Sequence, residues 1–276
     1  MGVPDVPTSV DLAGLDPAAL GSVPPRTEDP AHARRLMAEG GAAILTGWFG
    51  GKAPDERAAT AVARAVLGHA TLAIAPPAAI REGGERDKLQ IDATASLPLH
   101  ADGFAYGDRH CDAVFLICVE KGSEDGASFV VDARSLIAAL PHDLRAFLTD
   151  VPVDLTEPGM HPATSPILLR LASGRTAARC TPWMEPAPAV TGAERERHVA
   201  LLDRWRQVTW DLTPLVPRFT LEPGDTLCID NYRMFHGRDP YAGNRFLWRV
   251  WAWTSDGNGL PDGVLHSDSR YATVTP

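Results

Sequence analysis

Three His-x-Asp pairs occur in this chain: His100-Ala101-Asp102, His110-Cys111-Asp112 and His266-Ser267-Asp268. Residues i and i+2 of an extended segment project to the same side, so each pair can offer an imidazole and a carboxylate to one ion. Adding a histidine from another strand gives two imidazoles and one carboxylate on one face of an octahedron. That is the donor pattern of a mononuclear non-haem iron(II) site, whose opposite face stays open. With nine histidines in 276 residues, a pair or two of this kind arises by chance, so at least two of the three are decoys.

Neighbouring residues separate them. His100 and Asp102 follow the apolar Leu97-Pro98-Leu99 and precede Gly103, as at a strand end that turns at the mouth of a barrel. His110 ends the charged stretch Gly107-Asp108-Arg109 and reads as a solvated loop histidine. His266 lies close to the C-terminus with no histidine after it. The third ligand is expected at His236, in Asp230-Asn231-Tyr232-Arg233-Met234-Phe235-His236-Gly237-Arg238, which follows a buried apolar run. Beyond it come Arg245 and Arg249, four apart on one alternating segment and therefore on one face. An inward guanidinium is costly to bury without an anion, and a dicarboxylic cosubstrate would supply one.

The elements that must position these groups are short. The chain has 24 glycines and 24 prolines, which break apolar runs often enough to imply a β-rich core with helices added, an α+β class. Strands are expected at Ala42–Leu45, Ala113–Val119, Ser128–Val131 and Thr226–Ile229. In Arg245 to Trp253, period-2 alternation sets Phe246, Trp248, Val250 and Ala252 against Arg245, Leu247, Arg249, Trp251 and Trp253. Helices are expected over Asp29 to Glu39, Asp55 to Gly68, Ser135 to Leu148 and Ala193 to Trp210. Residues 1–276 read as one domain, with an N-terminal arm and helix over 1–35 and a Pro-rich irregular insertion over 149–192 that is a candidate substrate lid.

Composition excludes several classes. Hydrophobic residues make up 45% and charged residues 22% of the chain, and no apolar run nears the roughly 20 residues that span a bilayer. A start lacking a basic and apolar leader points to the cytoplasm. A formal net charge of −9 opposes a nucleic-acid partner. The four cysteines lack CxxC spacing and read as buried thiols.

On three separated motifs the sequence resembles the taurine dioxygenase and clavaminate synthase-like group of Fe(II)/2-oxoglutarate oxygenases. They are LHADG at 99–103, DGASFVVD at 125–132, and DNYRMFHGR at 230–238 followed by RFLWR at 245–249, with GGAAILTGW at 40–48 similar to the family's opening strand. The resemblance covers roughly residues 36–254. It implies a double-stranded β-helix, a jelly-roll of cupin type with flanking helices, in which His100, Asp102 and His236 hold Fe(II). Arg245 matches the arginine that pairs with the distal carboxylate of 2-oxoglutarate. Ser128 stands where the family usually has Gly-Gly-x-Thr and keeps a hydroxyl able to donate to that carboxylate; Asp125 in the same block departs from the pattern with no account. Arg249 matches a position that contacts an anionic group of the prime substrate in some members and helps hold the cosubstrate in others, with a structural salt bridge as a third role.

The implied reaction consumes O2 and 2-oxoglutarate, releases succinate and CO2, and oxidises an unactivated C–H bond of a small anionic or zwitterionic metabolite, such as an amino acid or its derivative. A carboxylate at 102 argues for hydroxylation, desaturation or cyclisation, because related halogenases have Gly or Ala there. Asn231, Arg233 and Arg238 are candidates to orient His236 or the cosubstrate. Tyr106, Asp108, Arg179, Trp183 and Glu185 are candidates to line the pocket, and Trp248, Trp251 and Trp253 read as core. The competing readings are a cupin-like metal enzyme without 2-oxoglutarate, which has no need of Arg245 and Ser128, and a non-catalytic binding protein. Oligomeric state is not legible.

Overall fold

The alternating segment near the C-terminus organises the molecule. A computed structural model describes residues 20–81, 96–122, 124–156, 162–181 and 183–271. The core strands are β1 (Arg26–Thr27), β2 (Ala42–Leu45), β3 (Thr71–Ile74), β4 (Ala78–Arg81), β5 (Leu97–His100), β6 (Ala113–Lys121), β7 (Ser128–Asp132), β8 (Thr226–Asp230), β9 (Met234–Arg238) and β10 (Arg245–Thr254). The larger sheet runs β1-β2-β8-β6-β10-β3, with β4 also on β10, and the smaller runs β5-β9-β7. Apart from the parallel β1–β2 pair, neighbours are antiparallel.

Alternation along the strands sorts side chains into layers. Val250 and Ala252 of β10 pack with Ala33, Met37, Val62 and Val66, on α1 (Pro30–Gly40) and α2 (Glu56–Leu67). Leu247, Trp251 and Trp253 face the other way and meet Val130 and Met234 of the smaller sheet. Phe129, Val131 and Phe235, on that sheet's far side, pack on Leu136, Phe147 and Trp205, carried by α3 (Ala133–Ala138), α4 (His142–Asp150) and α5 (Gly192–Leu212). Each fully buried aliphatic or aromatic side chain contributes about 1.5–3 kcal/mol. Both sheets are thus backed by helices, and the space between them is where inward polar residues meet.

Local signals account for the helix ends. The Asp29 side chain accepts from Ala31 N at the start of α1, Pro30 occupies the first turn, and Gly41 ends the helix at φ 86°. Asp55 caps α2 by accepting from Ala58 N at 2.8 Å. Two expectations need correction. The single helix over Ser135 to Leu148 is two helices, because Pro141 has no N–H to donate and stands at the start of α4. The insertion over 149–192 is only partly irregular. Its described residues pair Val153–Asp154 with Thr164–Ser165 and Glu185–Pro186, and Leu168–Arg170 with Thr176–Ala178. Residues 1–19 of the expected N-terminal arm, and 157–161 and 182 of the insertion, lie outside the described residues.

Candidate metal centre

β5 and β9 bring the expected ligands together. His236 pairs in register with His100, and the register shifts between His236 and Arg238, so a β-irregularity falls beside the site. The two imidazole centroids are 4.2 Å apart, and His236 Nε2 lies 3.7 Å from Asp102 Oδ2. One ligand atom from each of His100, Asp102 and His236 falls within 4.8 Å of the other two. His100 Nδ1 is 2.9 Å from the Pro98 carbonyl. A carbonyl only accepts, so Nδ1 carries the hydrogen and Nε2 is the lone-pair nitrogen offered to a cation.

Just past Asp102 the chain turns at Gly103, at φ 89°. A Cβ there would come within 2.9 Å of Cys111 Sγ, so glycine is required by both conformation and space. Asn231, fully buried, fixes the backbone of the ligand. It accepts from Asp102 N at 3.0 Å and donates to Asp102 O at 3.0 Å and Cys111 O at 2.8 Å. Its neighbour Arg233 points elsewhere, to Asp132 at 2.7 Å and the Glu39 carbonyl.

Arg249 is 4% exposed and sits inside this cluster. It donates to Asp102 Oδ1 at 3.1 Å and to the Ser267 carbonyl at 2.9 Å, and lies 3.9 Å from Asp268. The third His-x-Asp pair therefore closes over the site as a strap. Ser267 Oγ accepts from Trp251 N at 2.9 Å, and His266 N donates to Tyr106 Oη at 2.7 Å. Burial raises the Asp268 pKa, but hydrogen bonds from Arg270 and the Arg249 charge outweigh it and hold it at about 2.

Arg245 occupies the other end of the same face. It is 6% exposed and, among the residues whose side chains are described, which do not include Glu124 and Asp125, no carboxylate is within ion-pair distance of it. Burial pulls its pKa down, which Cys118 and Tyr241 only partly offset. The Tyr241 ring lies 5.5 Å from the Arg245 guanidinium and 4.6 Å from that of Arg238, so two guanidinium groups share one aromatic face. Gly126, at φ 74°, lets its segment press against Arg245: a Cβ would stand 3.4 Å from Arg245 Nε and 3.0 Å from Tyr241 Cβ. Two residues on, Ser128 is buried and pairs with Arg238 in register. A buried guanidinium with no described carboxylate partner, on the strand face that also carries Arg249 against Asp102, is what a dicarboxylate chelating a metal would complete.

The other expectations divide. His110 is not a solvated loop histidine. It is completely buried, 4.7 Å from the Tyr232 ring and 3.4 Å from Arg179, because distant segments fold over it. Arg179 is buried and pairs with Asp108. Tyr106 is buried against Trp251 and Trp253. Trp183 is half-buried, and Glu185 is exposed beside Arg195 and Arg206. Trp248 and Trp253 are packing residues with backbone acceptors, Pro54 O and Arg109 O. Trp251 is more than core: its indole Nε1 donates to Asp102 Oδ2 at 3.1 Å. The only sequence signal for that contact is its shared face with Arg249.

A model of the family described as "Taurine catabolism dioxygenase TauD, TfdA family" matches residues 13–251. No curated protein matches the sequence significantly. Among solved structures, asparagine oxygenase in complex with Fe(II), 2S,3S-3-hydroxyasparagine and succinate superposes with a TM-score of 0.60 at 20% identity, covering 84% of this chain and 83% of that one. A taurine dioxygenase from Burkholderia xenovorans gives 0.58 at 18%, covering 83% and 84%. The non-heme iron oxygenase OrfP in complex with (3S)-hydroxy-L-Arg gives 0.56 at 17%, covering 84% of each. These likenesses establish the fold, a jelly-roll core with flanking helices.

Proposed function

Because the chain belongs to the taurine catabolism dioxygenase TauD, TfdA family, and is thus an iron(II)- and 2-oxoglutarate-dependent dioxygenase, we propose that it hydroxylates an unactivated C–H bond of an amino acid or amino-acid derivative in the cytoplasm, releasing succinate and CO2. In this reading His100, Asp102 and His236 hold the iron, while Arg245 with Ser128 receives the distal carboxylate of 2-oxoglutarate. The observation that carries it is Arg245. A buried guanidinium without a described carboxylate partner is costly unless an anion completes it, and it shares a strand face with the residue paired to Asp102.

When bound, iron and cosubstrate together supply the oxidant for the C–H bond. The protein's own groups prepare the place. Pro98 O fixes the His100 tautomer, Asn231 anchors the Asp102 backbone, and a planar guanidinium suits two-point recognition of a carboxylate. Both sheets bury the centre, with His100, Asp102 and His236 each no more than 9% exposed, which keeps bulk water away. Asp102 fills the carboxylate position and so argues against halide chemistry. The compounds in complex with asparagine oxygenase and with an OrfP mutant, a hydroxyasparagine and a hydroxyarginine, support an amino-acid substrate.

The test is to supply the protein with Fe(II), 2-oxoglutarate and O2 and screen L-amino acids, their simple derivatives and taurine for stimulated succinate release. The expected result is stimulation by at least one amino-acid compound, with a product heavier by one oxygen atom. Stimulation by taurine alone, or by none of the amino-acid compounds, would overturn the substrate assignment.

A further inference from the structure

We propose that Trp251 is a positioning residue of the metal centre, fixing the rotation of the Asp102 carboxylate so that it offers one oxygen to the ion. The inference rests on the assignment of Asp102 as a ligand. Trp251 is 1% exposed and follows Arg249 by two residues on the inner face of β10. Its indole N–H reaches Asp102 Oδ2 at 3.1 Å, the oxygen that also lies 3.7 Å from His236 Nε2. Arg249 takes the other oxygen, Oδ1, at 3.1 Å, and its guanidinium stacks 4.7 Å from the Trp251 ring. The two donors therefore grip the carboxylate from both ends, while Asn231 holds its backbone.

The chemical consequence follows from lone-pair counting. Each carboxylate oxygen accepts in about two directions; the indole takes one of them at Oδ2 and Arg249 takes one at Oδ1. Oδ1 faces a guanidinium, whose positive charge opposes a cation at that oxygen and favours it at Oδ2, beside the neutral indole. The carboxylate is thereby held to one coordination position. Held so, His100, Asp102 and His236 would take one position each and leave the remainder of a bound ion to cosubstrate and dioxygen. An indole has a single N–H and no acceptor, and that one directional bond goes to Asp102.

β10 carries its own control. Trp253, also 1% exposed and on the same face, donates instead to the Arg109 carbonyl at 2.7 Å. The experiment is anaerobic calorimetric titration of Fe(II) into wild type, Trp251→Phe, Trp253→Phe and Asp102→Ala, with thermal unfolding of each and the visible charge-transfer band after adding 2-oxoglutarate. Trp251→Phe is expected to weaken Fe(II) binding by about 10–100-fold, the range for loss of a partner that orients a ligand, and to displace the band. Trp253→Phe should lower the melting temperature similarly and keep wild-type affinity and band. Should Trp251→Phe fail to fold, benzothienylalanine at position 251 keeps the ring shape without the N–H and serves as the same test. Wild-type affinity in the Trp251 variant, or equal weakening in the Trp253 variant, would overturn the positioning role. Unchanged affinity in Asp102→Ala would overturn the ligand assignment itself, and the positioning role with it.

Discussion

His100-Ala101-Asp102 and His110-Cys111-Asp112 have the same motif, lie ten residues apart, and end in different surroundings. The first ends β5, and the facing strand supplies His236 in register with His100, so three ligand atoms converge. The second runs into β6, and its partners are donors. Asp112 accepts from Thr254 N at 2.8 Å and Thr254 Oγ1 at 2.5 Å and lies 3.5 Å from Arg175. His110 lies against Arg179. Burial, with Arg179 adding to it, pushes the His110 pKa well below 6.5, and cations on both sides oppose a metal ion. Both aspartates accept from donors, Asp102 from Arg249 and Trp251; what separates the pairs, among the described residues, is the second imidazole that faces His100 in register.

The largest expected effect breaks the first pair. Asp102→Ala or His236→Ala should lose 2-oxoglutarate-dependent succinate release by more than the roughly 10–100-fold typical of an outer partner, with circular dichroism unchanged. Asp112→Ala should do the reverse. It removes a buried acceptor from Thr254 and should cost about 3 kcal/mol of unfolding free energy in urea, while Fe(II) affinity stays at the wild-type value. Sharpening the first pair's link to the cosubstrate, Arg245→Gln should raise the KM for 2-oxoglutarate about 10–100-fold, the worth of one or two charge-assisted hydrogen bonds, without changing Fe(II) affinity.

The smallest effect concerns pH. His110 has a depressed pKa in the fold, so below about pH 6.5 the unfolded chain takes up a proton that the folded chain does not. Stability is therefore lost as pH falls from about 6.5 toward the lower folded pKa. His110→Phe should flatten this limb, seen as a smaller melting-temperature drop between neutral and mildly acidic buffer than in wild type.

The contrast also marks what the sequence can disclose. The helices over Asp29 to Glu39 and Asp55 to Gly68 were legible because helix-end signals are local to the sequence. β10 was legible because alternation alone sorts Arg245, Arg249, Trp251 and Trp253 from Val250 and Ala252. The convergence of His100, Asp102 and His236 was anticipated because the arginines beyond His236 asked for an anion. The burial of His110 was not, since Tyr232 and Arg179 reach it from far along the chain. Pairings of two or three residues within 149–192 are too short to show a period. The strap at Ser267–Asp268 and the indole bond of Trp251 depend on side-chain direction, which no spacing encodes.

The most direct test asks which histidine binds the metal. Fe(II) and 2-oxoglutarate are added anaerobically to wild type, His100→Ala and His110→Phe, and the visible charge-transfer band of the chelate is recorded. The account predicts the band in wild type and His110→Phe and its loss in folded His100→Ala. A band that survives in His100→Ala but disappears in folded His110→Phe would contradict it.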